Sequence, residues 1–400
     1  MAAAEKRITQ ESKSSDLPKD WKCVKLGDAC EIIMGQSPPS ETYNTNKDGL
    51  PFFQGKAEFT ELYPIVEKWC SAPKKIAQPN DILLSVRAPV GTTNIANVKC
   101  CIGRGLAAIR FANFKYVFYF LRSIERELDS KGTGTTFRAI SGETIRETLF
   151  PLPSTETQQA IVSKIEELFS ELDKGIESLK LAQQQLRVYR QSVLKWAFED
   201  LQIKQDVFVE NCCTYVVDCL HSTAKFVDHG YYCVDTTCIE QGKIIFDRIR
   251  YVSKETFDER ISRLKPKPGD ILFSREGTVG TTVLVPDNIE LCLGQRMMMF
   301  RLNQNINPKY FMYYFQSPHF KSQYQPLIMG TTAPHLNIRD IRKFIVKLCP
   351  LERQLAIVER IDDCLSITDK MEESINQSLL QSEALRQSIL KNAFQGYLYM

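Results

Sequence analysis

Residues 160–198 and 356–394 are one segment written twice, with 17 of 39 positions identical at a constant offset of 196. The echo reaches upstream, but its register drifts. Asp81-Ile-Leu-Leu-Ser-Val-Arg-Ala-Pro-Val-Gly-Thr-Thr matches Asp270-Ile-Leu-Phe-Ser-Arg-Glu-Gly-Thr-Val-Gly-Thr-Thr at 189, Asn113–Tyr116 matches Asn307–Tyr310 at 194, and Gly134–Thr136 matches Gly330–Thr332 at 196. A duplication this long fixes the architecture before any single motif is weighed. The chain is two copies of one module, and 400 residues is enough for two to four domains. The drift is confined to the upstream part of each module, so one part has held its length while the other has diverged.

Each module opens with short β-rich runs separated by Gly, Pro and Asn/Asp clusters. In the first these are Trp21–Met34, Leu50–Gln54, Asp81–Val86, Thr92–Ala96 and Gly105–Phe111. In the second they are Phe208–Cys219, Tyr231–Cys238, Lys243–Val252, Asp270–Ser274, Thr281–Val285 and Met297–Leu302. Helices are predicted at 113–128 and 307–320, short ones at 141–147 and 337–343, then a strand ending at Pro151 or Pro350. Asn113 and Asn307 read as helix caps, with Pro308 at the first helical position.

A long helix closes each module. Thr155 and Gln158 fit a capping box at the start of the first. Its apolar seam runs Ile161, Ile165, Leu168, Leu172, Leu179, Leu186 and Val193 in alternating steps of four and three, with Gly175 the poor fit. The second repeats it as Ile357, Ile361, Met371, Ile375, Leu385 and Ile389, with polar positions between them that weaken its middle. About 42 helical residues extend roughly 60 Å, too long to fold back inside a small domain. The expected fold is therefore α+β. Residues 1–20 form a loose tail, 21–153 and 201–350 are globular α/β domains, and 154–200 and 351–400 hold long helices that pair as an antiparallel coiled coil.

The sequence offers little catalytic chemistry. Asn307-Pro308-Lys309-Tyr310 lacks the second proline of the Asn/Asp-Pro-Pro-aromatic loop with which amino-methyltransferases hold a flipped base, and its counterpart Asn113–Tyr116 has no proline. Gly103-Arg-Gly105 and Gly132-Thr-Gly134 are too short for a nucleotide-binding loop. His221, His229, Cys233 and Cys238 match no common zinc spacing, and the first module has no histidine at all. The thirteen cysteines form no C-x-x-C pair and suit a reducing cytoplasm. No apolar run reaches the length of a membrane span, and the polar N-terminus lacks a signal core. No bound cofactor or metal is expected.

What the modules share besides the helix is polar loops. The formal charge of +3 is unevenly spread: 156–200 and 352–395 carry −2 and −3, which leaves +8 on the remainder. Arg87 and Arg275 close a strand ahead of the Thr92-Thr93 and Thr281-Thr282 loops. Arg104, and Gln295 with Arg296, follow glycines, and Lys131, Thr135, Thr136, Thr331 and Thr332 make a second loop set. Hydroxyls and backbone amides in such loops can donate to phosphates, and Arg or Gln can reach base edges. These fourteen residues are the candidate DNA contacts.

The Gly-Asp-Ile-Leu-Phe-Ser-Arg block at 269–275, the Gly-Thr-Thr loops and the Gln-x-Ala-Ile-Val starts of both long helices (158–162 and 354–358) together resemble the DNA-specificity (S) subunit of type I restriction–modification systems. The resemblance covers about Trp21 to Gly396 and rests chiefly on the duplicated order of domain and helix. It implies two target recognition domains, each reading one half of a bipartite site on double-stranded DNA, and a coiled coil that fixes the spacer. It also implies docking of two methyltransferase (M) subunits carrying S-adenosylmethionine, with an ATP-dependent restriction (R) subunit as a further partner, in a prokaryotic cytoplasm. An enzyme with unrecognised motifs, or a scaffold that binds only protein, are the competing readings.

Overall fold

The computed structural model describes residues 17–134, 138–199 and 205–398. The chain divides into two compact units whose borders fall within the long helices: one takes in residues 1–179 and 377–400, the other 180–376. Each unit therefore contains one globular domain, the beginning of the helix that follows it, and the end of the other helix.

In the first unit, the strand Leu106–Arg110 lies between Glu31–Met34 and Ile82–Ser85, with Thr93–Ile95 at the edge of this antiparallel sheet. A five-stranded sheet is built on Cys100–Ile102, which runs parallel to Leu50–Phe53 and antiparallel to Ile76–Ala77. Lys22–Lys25 pairs with Leu149–Leu152, tying the start of the domain to the strand that leads into the helix. The second unit repeats this plan. Met297–Leu302 lies between Cys213–Asp218 and Ile271–Ser274, Tyr231–Val234 runs parallel to Leu291–Leu293, and Gln205–Phe208 pairs with Ile345–Leu348. The sequence reading located the main sheet. It missed the short strands Trp69–Cys70, Ile76–Ala77, Cys100–Ile102 and Leu291–Leu293, and the helix Lys254–Arg260, which are too brief to show a period. It also ran Trp21–Met34 and Phe208–Cys219 as unbroken β segments, where the single turns Leu26–Ala29 and Val209–Cys212 interrupt them.

The repeated Asp-Ile-Leu motif has a structural cause. Asp81 and Asp270 are buried, and each takes a two-pronged grip from an arginine on the central strand: Arg110 at 2.8 and 2.8 Å, Arg301 at 2.9 and 2.7 Å. Each carboxylate also caps its own turn, accepting from Gln78 N or Lys267 N. A carboxylate so fully satisfied can be buried at modest cost.

The helix Phe114–Ser123 packs its apolar face on the first sheet, and Pro308–Gln316 does so on the second. Asn113 and Asn307 cap them as predicted. The first long helix is Thr155–Glu199 and the second Leu351–Phe394. The cap falls on Ser154 and not Thr155, and the expected capping box does not form. Ser154 Oγ accepts from Thr157 N, and the buried Gln158 turns back to donate to Pro153 O at 3.0 Å. Ser154 is the last residue outside the helix, so it and not Thr155 is placed to cap. Gln354 does the same work in the second helix, donating to Cys349 O at 2.8 Å and accepting from Asn307 N at 2.8 Å. At the N-terminus Leu17 packs against the first core, so the globular part begins inside the expected tail.

The helix ends enter the cores. Phe394 lies against Tyr116 and Phe120, at 5.1 and 5.5 Å between ring centroids. Phe198 lies edge-on to Tyr310 and Tyr314, at 5.3 and 5.1 Å. Along the second unit, Gln183 meets Asn376 and Arg190 meets Asp369, so the partner number falls by seven as the first rises by seven, the mark of antiparallel pairing. In the first unit Arg386 meets Asp173. These two ion pairs are one pair under the 196-residue offset, with the helices exchanged.

The seam is not uniform. Ile161, Ile165, Val193, Ile357, Ile361 and Ile389 are buried, and Leu168, Leu172, Leu179, Leu186 and Ile375 are half-buried. Met371 and Leu385 are about half exposed, against expectation. Polar pairs take the line between the helices there, and apolar burial moves to the ends, where Val162, Phe169, Leu194 and Leu390 join it from outside the heptad stripe. Phe198→Ala and Phe394→Ala should each destabilise their unit by about 3–5 kcal/mol, the cost of emptying an aromatic site. Tyr189→Ala, on an exposed stretch of the same helix, should cost under about 1 kcal/mol. Denaturant unfolding of the three variants checks this ordering.

Candidate nucleic-acid interface

Three loops of each domain meet at the end of the strand that carries the Asp-Ile-Leu motif. The first runs from Ser85 to Thr92. Ser85 accepts from Gly91 N at 2.9 Å, donates its own N–H to Thr92 O at 2.8 Å, and turns its hydroxyl to Arg87 O at 2.9 Å. Ser274, Gly280, Thr281 and Glu276 repeat this network at 2.9, 2.8 and 3.1 Å. Gly91 and Gly280 hold φ of 95° and 91°, and a Cβ on Gly280 would fall 2.1 Å from Tyr324 Oη. That is why the Gly of Gly-Thr-Thr survives in both copies.

The second loop lies directly beside the first. Arg87 and Thr133 both bridge to Ala139, and Glu276 and Met329 both bridge to His335. Ala88 N donates to Arg138 O at 2.9 Å, and Gly277 N to Pro334 O at 2.8 Å. The third loop joins from the other side: Val86 N donates to Gly105 O at 2.9 Å, and Arg275 N to Arg296 O at 3.1 Å. This contact sets the structural alignment, with Arg104 opposite Gln295 and Gly105 opposite Arg296. Arg296 holds a left-handed φ of 74° where the first domain has glycine.

The expected residues thus come together, but their side chains divide. Arg87, Arg104, Lys131, Arg296, Thr331 and Thr332 are exposed on this surface. Arg87 and Arg104 make no ion pair among the described residues, whereas Lys131 pairs with Glu127 at 2.9 Å and Arg296 with Glu276 at 3.2 Å. Thr331 and Thr332 line an open cleft with Glu276 and His335. Thr92 and Thr281 spend their hydroxyls internally, on Glu125 and on Thr278 O. Thr93 and Thr282 are buried strand residues and have no surface to offer a ligand. Thr135 and Thr136 lie outside the described residues.

Arg275 is also buried, held by Asp218 at 3.0 Å, where the first domain places Val86 and Met34. Asp218 Oδ2 faces the exposed ring of His221 at 3.2 Å without hydrogen-bonding geometry. Gln295 is clamped on the same segment, donating to His221 O at 2.9 Å and accepting from Thr223 Oγ1 at 3.3 Å. Arg260 and Arg263 stake that segment by donating to Ser222 O and Asp218 O. Sequence reasoning weighed His221 only as a metal ligand and missed this brace. Asp218 lies 57 positions from Arg275, so no local sequence signal marked the pairing.

Among the described residues no cluster of His, Cys, Asp and Glu has metal-binding geometry, and no helix is long and apolar enough to cross a membrane. Burial pushes the thiols of Cys30, Cys100 and Cys212 up to about 12, as for small core residues and not for nucleophiles.

Comparison with known proteins agrees with this duplicated plan. The family model for the type I restriction modification DNA specificity domain matches twice, over residues 18–180 and 231–381. The putative MjaX specificity subunit of Methanocaldococcus jannaschii is 39% identical over 196 residues, covering 48% of this chain but only 45% of the relative's own length. The EcoBI specificity subunit of Escherichia coli is 21% identical over 94% of this chain and 86% of its own. Among solved structures, the HsdS subunit from Thermoanaerobacter tengcongensis shares the fold, with a TM-score of 0.54 and 21% identity over 95% of this chain and 98% of its own. With both of its modules matched, the chain belongs to the type I restriction modification DNA specificity family.

Proposed function

We propose that this chain reads a bipartite double-stranded DNA sequence, one half-site per domain, for a restriction–modification complex whose chemistry is carried out by other subunits. The observation that carries this is the three-loop surface, assembled by the same backbone network in both domains but dressed with different side chains. Arg87, Arg104 and Gly105 in one domain stand where Glu276, Gln295 and Arg296 stand in the other. A duplicated scaffold with diverged contact residues suits two half-sites of unlike sequence. The helices would set the spacer between them. Two methyltransferase subunits, carrying S-adenosylmethionine, would dock on the helices, and a restriction subunit would bring ATP-driven chemistry. The apolar groove of Ala182, Leu186, Tyr189, Ile367, Met371 and Ile375, with Val188 exposed on the first of these helices, supports a protein partner there.

Methylome sequencing of a host expressing this chain with its methyltransferase partner tests the reading. A split motif with modified adenine in each half is expected. An unbroken motif, or DNA cleavage or methyl transfer by the purified chain alone, would overturn it.

Two further outcomes are expected. Arg87→Ala should lower DNA affinity of the assembled complex and reduce its logarithmic salt slope by roughly 0.9, one phosphate contact, while Thr93→Val should leave both unchanged in a binding titration across salt. Deleting one heptad from both helices, residues 179–185 and 375–381, should shorten the preferred spacer and leave the half-sites as they were; unchanged spacing counts against a measuring role for the helices.

A further inference from the structure

The two repeat-related ion pairs between the helices, Arg190 with Asp369 and Arg386 with Asp173, each have a third member, and it comes from the globular domain of the same unit. In the second unit it is a cation. Lys243, on the hairpin Ile239–Glu240/Lys243–Ile244, pairs with Asp369, and Gln241 at the hairpin tip donates to Glu372 at 3.3 Å. In the first unit it is an anion: Glu61 approaches Arg386 at 3.6 Å. The helical pair is inherited, but the domain reaches it from unrelated loops and with opposite charge. A contact re-formed with inverted polarity in the diverged part of each module is difficult to ascribe to common ancestry.

The hairpin is built to transmit force. Its turn residues Gln241 and Gly242 hold φ of 49° and 79°, the left-handed pair of a tight two-residue turn. Its other side is blocked: a Cβ on Gly242 would meet Gln316 Nε2 at 2.8 Å, and Gln316 is itself anchored to Thr282 at 3.1 Å, in the strand that follows the first DNA-facing loop. A chain of contacts therefore runs from Asp369 through the hairpin and Gln316 to that loop. Burial acts to raise the Asp369 carboxyl, but hydrogen bonds from Lys243 and Arg190 outweigh it and hold the group below its ordinary range, so the joint stays charged.

We propose that Lys243 is a positioning residue: a strut that sets the angle of the second domain on its helical pair, and thereby the spacer length the protein accepts. Glu61 does the same for the first. This rests on the reading of the domains as half-site readers.

The test is Lys243→Glu, which places a carboxylate against Asp369 and Glu372, and Lys243→Arg as the conservative control, both assembled with the methyltransferase partner. Methylation is measured on DNA carrying both half-sites at the native spacer and at one base pair more or fewer. The glutamate variant should lose preference for the native spacer by roughly tenfold, the size of one charge network's coupling, while reading the same half-sites. The arginine variant should keep it. An equal fall at all spacers, or no change, overturns the strut. Failure of the wild-type protein to show any split motif would instead overturn the half-site reading itself. Lys243 is largely exposed, so neither variant threatens folding, and a thermal melt verifies this.

Discussion

Each domain's core is closed by an aromatic ring from a helix that the domain does not itself begin. Phe394 fills the space beside Tyr116 and Phe120, and Phe198 that beside Tyr310 and Tyr314. Tyr116 and Tyr310 are fully buried, each with its hydroxyl donating to a strand carbonyl, Pro151 O and Lys347 O. Burial raises both phenols and keeps them neutral. Removing the inserted phenylalanine would leave these groups facing a void in a close-packed interior. The rest of the arrangement depends on this exchange, because it commits the C-terminal end of each helix, as Ile161, Ile165, Ile357 and Ile361 commit the N-terminal ends, and leaves the middles to half-buried leucines and polar contacts.

The architecture was largely legible because duplication is visible without any knowledge of contacts. The constant 196-residue register marked the helices, and the drift upstream marked the domains. What escaped detection did so for physical reasons. Strands of two or three residues such as Ile76–Ala77 carry no period. The capping residue was displaced by one because Ser154 and Thr155 are equally good cap types, and only backbone geometry separates them. The heptad pattern put Met371 and Leu385 on a seam already weakened by polar positions, and both are exposed: apolar spacing reports which residues could share a face, not whether a partner covers it.

The loop surface was legible in location and misleading in detail. Among the described residues the matched Gly-Thr-Thr loops reach the loop cluster of their own domain, but much of their chemistry is internal. Asp81 and Ser85 hold the turn, Thr93 is buried in the strand beyond it, and the exposed Arg87 between them makes no ion pair among the described residues. Arg275 read as a contact residue from its place after Ser274, whereas Asp218 takes it into the interior. Whether an arginine is a probe or a rivet depends on a carboxylate 57 positions away, which no local motif contains.

The pairing of Arg190 with Asp369 and of Arg386 with Asp173 has a further consequence. The two bridges are related by exchange, so the first helix supplies to the second what the second supplies to the first. The same holds for the phenylalanines. A polypeptide of half this length, with one domain and one helix, would carry the arginine, the aspartate and the closing phenylalanine of this joint once each. Two such halves would exchange the same arginine, aspartate and phenylalanine with each other, and duplication places both sets on a single strand, where the loops of each module are free to diverge.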